Sequence, residues 1–99
     1  MKAEQSDDLW MRVIKEIRNI ANGSGTVEVK SASGDTIVIG TPDVTIRFYL
    51  KNGTACVRFA EFKDGTMWHE SNANEKPSLT GYLEDGQKKE LLSNFGLKI

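Results

Sequence analysis

The sequence predicts an α+β fold in which an N-terminal helix, an antiparallel meander sheet of four to five strands and a C-terminal helix form a two-layer sandwich. Three patterns predict it. Apolar residues recur at helical spacing near the N-terminus, they alternate with polar residues across residues 26–70, and short turn signals separate the alternating segments. Short turns join antiparallel neighbours, and 99 residues is an ordinary domain length, so residues 1–99 are expected to form a single domain.

The first helix is predicted over residues 7–22. Its apolar residues recur every three or four positions, which produces one apolar stripe that faces a core. Ser6 is suited to cap the helix, and Asp7 and Asp8 favour its positive N-terminal end. Gly23 can adopt the left-handed conformation that often ends a helix. The stripe consists of Leu9, Trp10, Val13, Ile14, Ile17, Ile20 and Ala21.

Five strands are predicted after this helix, each bounded by a turn signal. The glycine and asparagine residues between them tolerate the positive φ angles that tight turns need. A polar loop of residues 71–76 follows the last strand and ends at Pro77. The predicted strands are residues 26–31, 36–39, 44–51, 54–62 and 66–70.

The pairing of the third and fourth predicted strands follows from Asn52-Gly53, the strongest short hairpin signal in the sequence. A two-residue turn there pairs the apolar residues of both strands on one face, which the first helix is expected to cover. A register shifted by one residue would bury Arg58 beside Ile46, so the two-residue turn is favoured. The predicted pairs are Leu50 with Ala55, Phe48 with Val57 and Ile46 with Phe59.

A second helix is predicted from Asp85 to about residue 94, and Gly96 is suited to end it. Residues 97–99 are expected to lie as a short extended tail on the core. The sequence leaves open whether this helix packs at an edge of the sheet or beside the first helix. The apolar residues of this region are Leu83, Leu91, Leu92 and Phe95.

The sheet face opposite the first helix is the predicted recognition surface. Arg47 and Arg58 are expected to lie directly opposite each other there, where like charges repel. Tyr49 and Phe62 flank them, and arginine with aromatic residues is the composition enriched at interface hot spots. The alternative is a solvated face on which an acidic neighbour such as Glu28 neutralises the arginines. The predicted partner-binding residues are therefore Arg47, Tyr49, Arg58 and Phe62.

The charge composition argues against general nucleic-acid binding. Lysine and arginine number 13 against 14 aspartate and glutamate residues, which gives a net charge of −1, whereas affinity for a duplex comes largely from basic residues that neutralise phosphates. A nucleic-acid or phosphate-binding module that uses the same face is the alternative function. No apolar run approaches the ~20 residues that span a bilayer, and no apolar signal segment is seen at the N-terminus, so we expect a cytoplasmic protein with no membrane association.

No catalytic residue, cofactor or metal site is predicted. His69 is the only histidine and Cys56 the only cysteine, too few ligands for a usual zinc site. The two are also unsuited to act as a catalytic pair, because the predicted register separates them by about four residues, or roughly 13 Å, along the strands. We therefore expect no enzymatic activity.

These observations favour a small cytosolic, non-enzymatic binding protein that modulates or inhibits a partner protein. Bacterial immunity proteins, phage-encoded inhibitors and accessory subunits include domains of this size, and that analogy suggests a bacterial or phage accessory protein. A homodimer formed through a sheet face or an open edge strand is compatible with this interpretation.

Overall fold

The computed structural model describes residues 7–23, 26–70, 79 and 81–99. An N-terminal helix precedes a five-stranded antiparallel sheet and a C-terminal helix, which confirms the predicted α+β fold and its element order. The predicted Ser6 cap and the predicted loop of residues 71–76 lie outside the described residues. The elements are α1 (Asp7–Ala21), β1 (Glu28–Ser33), β2 (Thr36–Gly40), β3 (Val44–Lys51), β4 (Thr54–Phe62), β5 (Met67–His69) and α2 (Asp85–Phe95).

The sheet is an antiparallel meander in which the strands lie side by side in the order β1-β2-β3-β4-β5. The turn between β3 and β4 shows how the sequence sets this order. Asn52 and Gly53 both have positive φ angles, of 55° and 80°, as in the type I′ turn whose twist matches that of a hairpin. Such short connections make each strand pair with the next one in sequence.

The two helices cover one face of the sheet, called the inner face below, and the core lies between the two layers. The apolar stripe of α1 supplies one side of this core, where Val13, Ile14 and Ile17 are fully buried. Burial of apolar area is the main term that stabilises such a fold. The sheet contributes Ile39, Val44, Ile46, Phe48, Ala55, Val57, Ala60, Phe62 and Trp68 to the core.

An aromatic cluster joins α1 to β5 and to the segment that precedes α2. The ring centroids of Trp10 and Trp68 are 4.7 Å apart, and the Tyr82 ring meets Trp10 edge-on at 5.6 Å. Arg18 donates two hydrogen bonds to the Tyr82 carbonyl oxygen, from Nε at 2.9 Å and from Nη2 at 2.6 Å. These contacts place α2 beside α1, which resolves the placement that the sequence left open.

The C-terminal segment ends α2 and then returns to the sheet. Gly96 has a φ of 73°, and its N–H donates to the Leu92 carbonyl oxygen at 2.9 Å. Leu97 is fully buried, and the N–H of Ala55 donates to the Lys98 carbonyl oxygen at 2.6 Å. The predicted tail on the core is therefore confirmed, and it lies against the first residues of β4.

A β-bulge in β4 changes which side chains face the core. The predicted pairing holds from the Asn52-Gly53 turn as far as Phe48 with Val57. The next pair is Arg47 with Phe59, which makes Arg58 the extra residue of the bulge. Beyond this point every side chain of β4 lies on the face opposite to the one predicted.

The predicted position of Phe62 on the solvent side of the sheet is consequently wrong. Phe62 pairs with Val44 and is 2% exposed, so it is a core residue, whereas Phe59 is half-buried on the opposite face. Glu61 gives the physical reason. Without the bulge, the residues after Val57 would turn Phe59 and Glu61 toward α1, and burying an unpaired carboxylate is costly. With the bulge, Glu61 is exposed and Phe62 takes the buried position.

Candidate functional site

The face of the sheet opposite the two helices, called the outer face below, carries a row of side chains that crosses all five strands. Ser31 pairs with Val38, Val38 with Arg47, Arg47 with Phe59, and Phe59 with His69. Directly opposed residues of antiparallel strands point to the same face. These five residues therefore form one line of neighbours, called the outer row below.

The outer row surrounds an exposed cation with half-buried apolar and aromatic side chains. Arg47 is exposed on the middle strand, between the half-buried Val38 and Phe59. The Phe59 ring meets the His69 ring edge-on, with the centroids 5.8 Å apart. Beside the row, Met67 exposes 52% of its surface. The row thus presents hydrophobic contact area around a single positive charge.

Arg47 has no ion-pair partner in the described part of the chain. The prediction that Arg58 lies directly opposite Arg47 is wrong, because the bulge places Phe59 opposite Arg47. An exposed guanidinium retains its water, so Arg47 needs no neighbouring carboxylate for the fold to be stable. Its planar group of N–H donors is suited to bind a carboxylate from another molecule.

Arg58 is neutralised within the protein by Glu70, a residue that sequence reasoning missed. Arg58 Nη1 donates to Glu70 Oε1 at 3.0 Å, and the guanidinium lies 4.3 Å from the centroid of the Tyr49 ring. The Glu70 carboxylate also raises the pKa of the Tyr49 phenol. The neutralising neighbour suggested by the sequence, Glu28, lies instead on β1 at the far side of the sheet. Two of the predicted partner-binding residues, Arg58 and Tyr49, therefore interact within the protein. Together with Glu70 they are called the internal cluster below.

The Tyr49 phenol titrates at unusually high pH in this cluster. Burial raises its pKa, and the hydrogen bond and charge of Glu70 raise it further, from 10.0 to about 12. Because the folded-state pKa lies above the unfolded one, the associated stability is fully present below about pH 10 and is lost as the pH rises toward about 12. We expect the Tyr49→Phe variant to lose less stability over this range. Urea unfolding of both proteins at about pH 8 to 12 measures the difference, and identical pH profiles would contradict the cluster.

Cys56 and His69 lie on the same face without forming a catalytic pair. Cys56 is 7% exposed, and burial raises the pKa of its thiol, which disfavours the nucleophilic thiolate. His69 pairs with Phe59, three positions along β4 from Cys56 and not the predicted four, or roughly 10 Å at the usual rise. Within the described ranges, no three His, Cys, Asp or Glu side chains form a group that could hold a metal ion.

Comparison with protein-family models, with curated proteins and with solved structures found no match. Across the described residues, no helix combines the length and the apolar character needed to cross a membrane. The candidate site is therefore interpreted from its own chemistry: an exposed arginine within a half-buried apolar row on a sheet face that α1 and α2 leave uncovered.

Proposed function

We propose that this chain is a non-enzymatic protein that binds a partner protein through its outer face and modulates the activity of that partner. The one-sided covering of the sheet carries the proposal. Both helices pack on the inner face, while Val38, Arg47 and Phe59 lie side by side on the other face. Aromatic side chains and arginine are enriched at protein interfaces, and an arginine that is surrounded by apolar area resembles an interface hot spot.

The size of the outer face suits modulation by covering a site. With strands about 4.8 Å apart and a rise of about 3.3 Å per residue, a sheet of five such strands spans roughly 20 Å in each direction. Together with its rim, a face of this size can supply the roughly 800 Å² that each partner buries in a standard interface. A small domain that covers such an area can block or alter a site on a larger protein.

A protein partner fits the charges of the outer face better than a nucleic acid does. Glu28, Glu61 and Glu70 lie on this face among its cations, and Glu70 already neutralises Arg58. A polyphosphate chain would be repelled by these carboxylates, because affinity for nucleic acid rests on phosphate neutralisation. A protein surface can instead match charges of both signs, residue by residue.

A cytoplasmic location forms part of this proposal. Cys56, the only cysteine in the sequence, is a free and buried thiol. Structural cysteines without a disulfide partner are typical of reducing compartments, where thiols stay reduced. The thiol then serves as a small apolar side chain.

Nucleic-acid binding is the second candidate, because the Phe59 ring beside Arg47 could stack an unpaired base. Fluorescence anisotropy with a labelled single-stranded oligonucleotide separates the two candidates. Phosphate-dominated binding should weaken by orders of magnitude between about 50 and 200 mM salt. We expect no binding of the oligonucleotide at either salt concentration, and tight binding with a steep salt dependence would favour the second candidate.

Substitutions in the outer row are expected to weaken the capture of one specific protein. Affinity capture from a lysate of the source organism, followed by mass spectrometry, should retain a protein on the wild-type chain. Arg47→Glu and Phe59→Ser should each weaken that interaction at least about tenfold, the usual effect of changing an interface hot spot. Arg58→Glu is less informative, because it would place two carboxylates together at Glu70 and disturb the internal cluster.

A matched control keeps this experiment specific to the outer face. Lys15 is exposed on α1, on the opposite side of the molecule, and Lys15→Glu makes the same kind of charge reversal there. Capture by this control should equal that of the wild type. If the outer-row variants retain every protein that the wild type retains, the outer face is not the contact surface.

A further inference from the structure

β1 is an open edge of the sheet. It pairs with β2 on one side and with no described strand on the other, and all six of its residues are exposed. The opposite edge has fewer free backbone groups. There, β5 has only three residues, and the C-terminal tail bonds to β4 at Ala55. The free backbone groups of β1 are therefore the longest stretch of described edge that can accept another strand.

The side chains of β1 present opposite charges on one face and an uncovered apolar residue on the other. Glu28 pairs with Gly40 on the outer face, and the side chain of Lys30 lies across the same Gly40. Val29 pairs with the buried Ile39 and so points to the inner face, yet 46% of its surface is exposed. The helical layer thus leaves the edge strand uncovered.

We propose that β1 pairs with β1 of a second copy of this chain, antiparallel and about a two-fold axis at Val29. In this register Glu28 lies opposite the partner's Lys30 on the outer face, and the symmetric contact repeats the pair. On the inner face, Val29 meets the partner's Val29 and loses its exposure to water. The two sheets become one continuous sheet through an isologous contact that closes on itself.

Charge complementarity favours a second copy over another occupant of this edge. A lysine and a bulge on an edge strand normally deter strand addition, and both are present in β1 at Lys30. Self-pairing removes the unfavourable effect of the lysine on strand addition, because the order Glu28-Val29-Lys30 places a carboxylate opposite each ammonium group. The contact leaves Arg47 and Phe59 uncovered on both copies. The absence of a dimer would therefore not contradict the proposed function.

The dimer is expected to be weak and to depend on concentration. With the axis at Val29, only Glu28, Val29 and Lys30 of each β1 lie opposite one another, about 10 Å of strand edge, which buries far less than the roughly 800 Å² per partner of a standard interface. Sedimentation velocity of the full chain should therefore show the mean mass rising from one chain toward two between about 10 μM and about 1 mM, the range of such weak affinities.

Charge reversal tests the register as well as the dimer. Glu28→Lys and Lys30→Glu should each raise the dissociation constant at least about tenfold, since attraction becomes repulsion at both symmetric contacts. The double variant Glu28→Lys/Lys30→Glu should restore the wild-type constant. Glu61→Lys, on the outer face but on β4, should leave it unchanged.

Three results would overturn this inference. They are a single-chain mass across the whole concentration range, a dimer that Glu28→Lys does not weaken, and a double variant that stays dissociated. The substituted residues are exposed in the single chain, and far-ultraviolet circular dichroism verifies that each variant keeps its fold.

Discussion

Replacing Phe62 with alanine should lower the free energy of unfolding by about 3–5 kcal/mol, the range for removing a buried aromatic ring. Phe62 is 2% exposed, pairs with Val44, and has the guanidinium of Arg12 lying 3.9 Å from its ring centroid. Alanine would leave a cavity beneath α1 and would also remove the surface on which Arg12 packs. Chemical unfolding in urea at neutral pH measures the loss.

Phe59 is the matched control for this experiment, since it is the same residue type on the same strand. Its ring is half-buried on the outer face, so Phe59→Ala should cost only about 1 kcal/mol of hydrophobic stabilisation. In a strictly alternating register the two effects would exchange, because Phe59 would be buried and Phe62 exposed. A larger loss from Phe59→Ala than from Phe62→Ala would therefore contradict the bulge.

Replacing Trp68 with alanine should have a comparably large effect, again about 3–5 kcal/mol. Trp68 is 1% exposed and is the buried side chain of a strand that has only three residues. Its ring centroid lies 4.7 Å from that of Trp10, so the substitution removes the aromatic contact between α1 and the sheet. Because aromatic pairs add to the stabilisation that burial provides, the loss should lie toward the upper end of the range.

Met67 is the control for Trp68, because it is the preceding residue and is 52% exposed on the opposite face of β5. Met67→Ser should change the free energy of unfolding by no more than about 0.5 kcal/mol, as for most surface substitutions. Urea unfolding followed by circular dichroism compares the two variants without relying on tryptophan fluorescence. Similar losses from both would mean that β5 does not insert Trp68 into the core.

The sequence alone predicts most of the fold because its strongest signals are local. The bounds of β3 and β4 match the predicted strands, since the turn at Asn52-Gly53 and the alternation on both sides of it depend only on neighbouring residues. Agreement is poorer for β1, which was predicted over residues 26–31 and is observed at Glu28–Ser33. Serine and alanine at its end contribute little hydrophobic contrast, so alternation does not show where the strand ends.

The bulge could have been inferred from Glu61. Extending the two-residue turn without interruption places Val57, Phe59 and Glu61 on the inner face, which would bury a carboxylate. The burial of Arg58 alone favours an uninterrupted register, although one extra residue at Arg58 leaves both Arg58 and Glu61 exposed. A charge at an inward position is thus a sequence signal for a bulge.

The composition of the candidate site was predicted only in part. Arg47 lies on the outer face as expected, because its position between Ile46 and Phe48 follows from alternation near the turn. The pairing of Arg58 with Glu70 could not be predicted, because it depends on where the end of β5 lies relative to the bulge. Such a contact depends on the shift that the bulge introduces between the end of β5 and Arg58, which the turns that join the strands do not show.

Nuclear Overhauser effects between β3 and β4 test most directly whether Arg58 is an extra residue that turns Phe59 outward and Phe62 inward. A bulge at Arg58 predicts backbone cross-strand contacts that pair Ile46 with Ala60 and Arg47 with Phe59, together with contacts between the Phe59 and His69 rings. Contacts that pair Ile46 with Phe59 and Arg47 with Arg58 would contradict it.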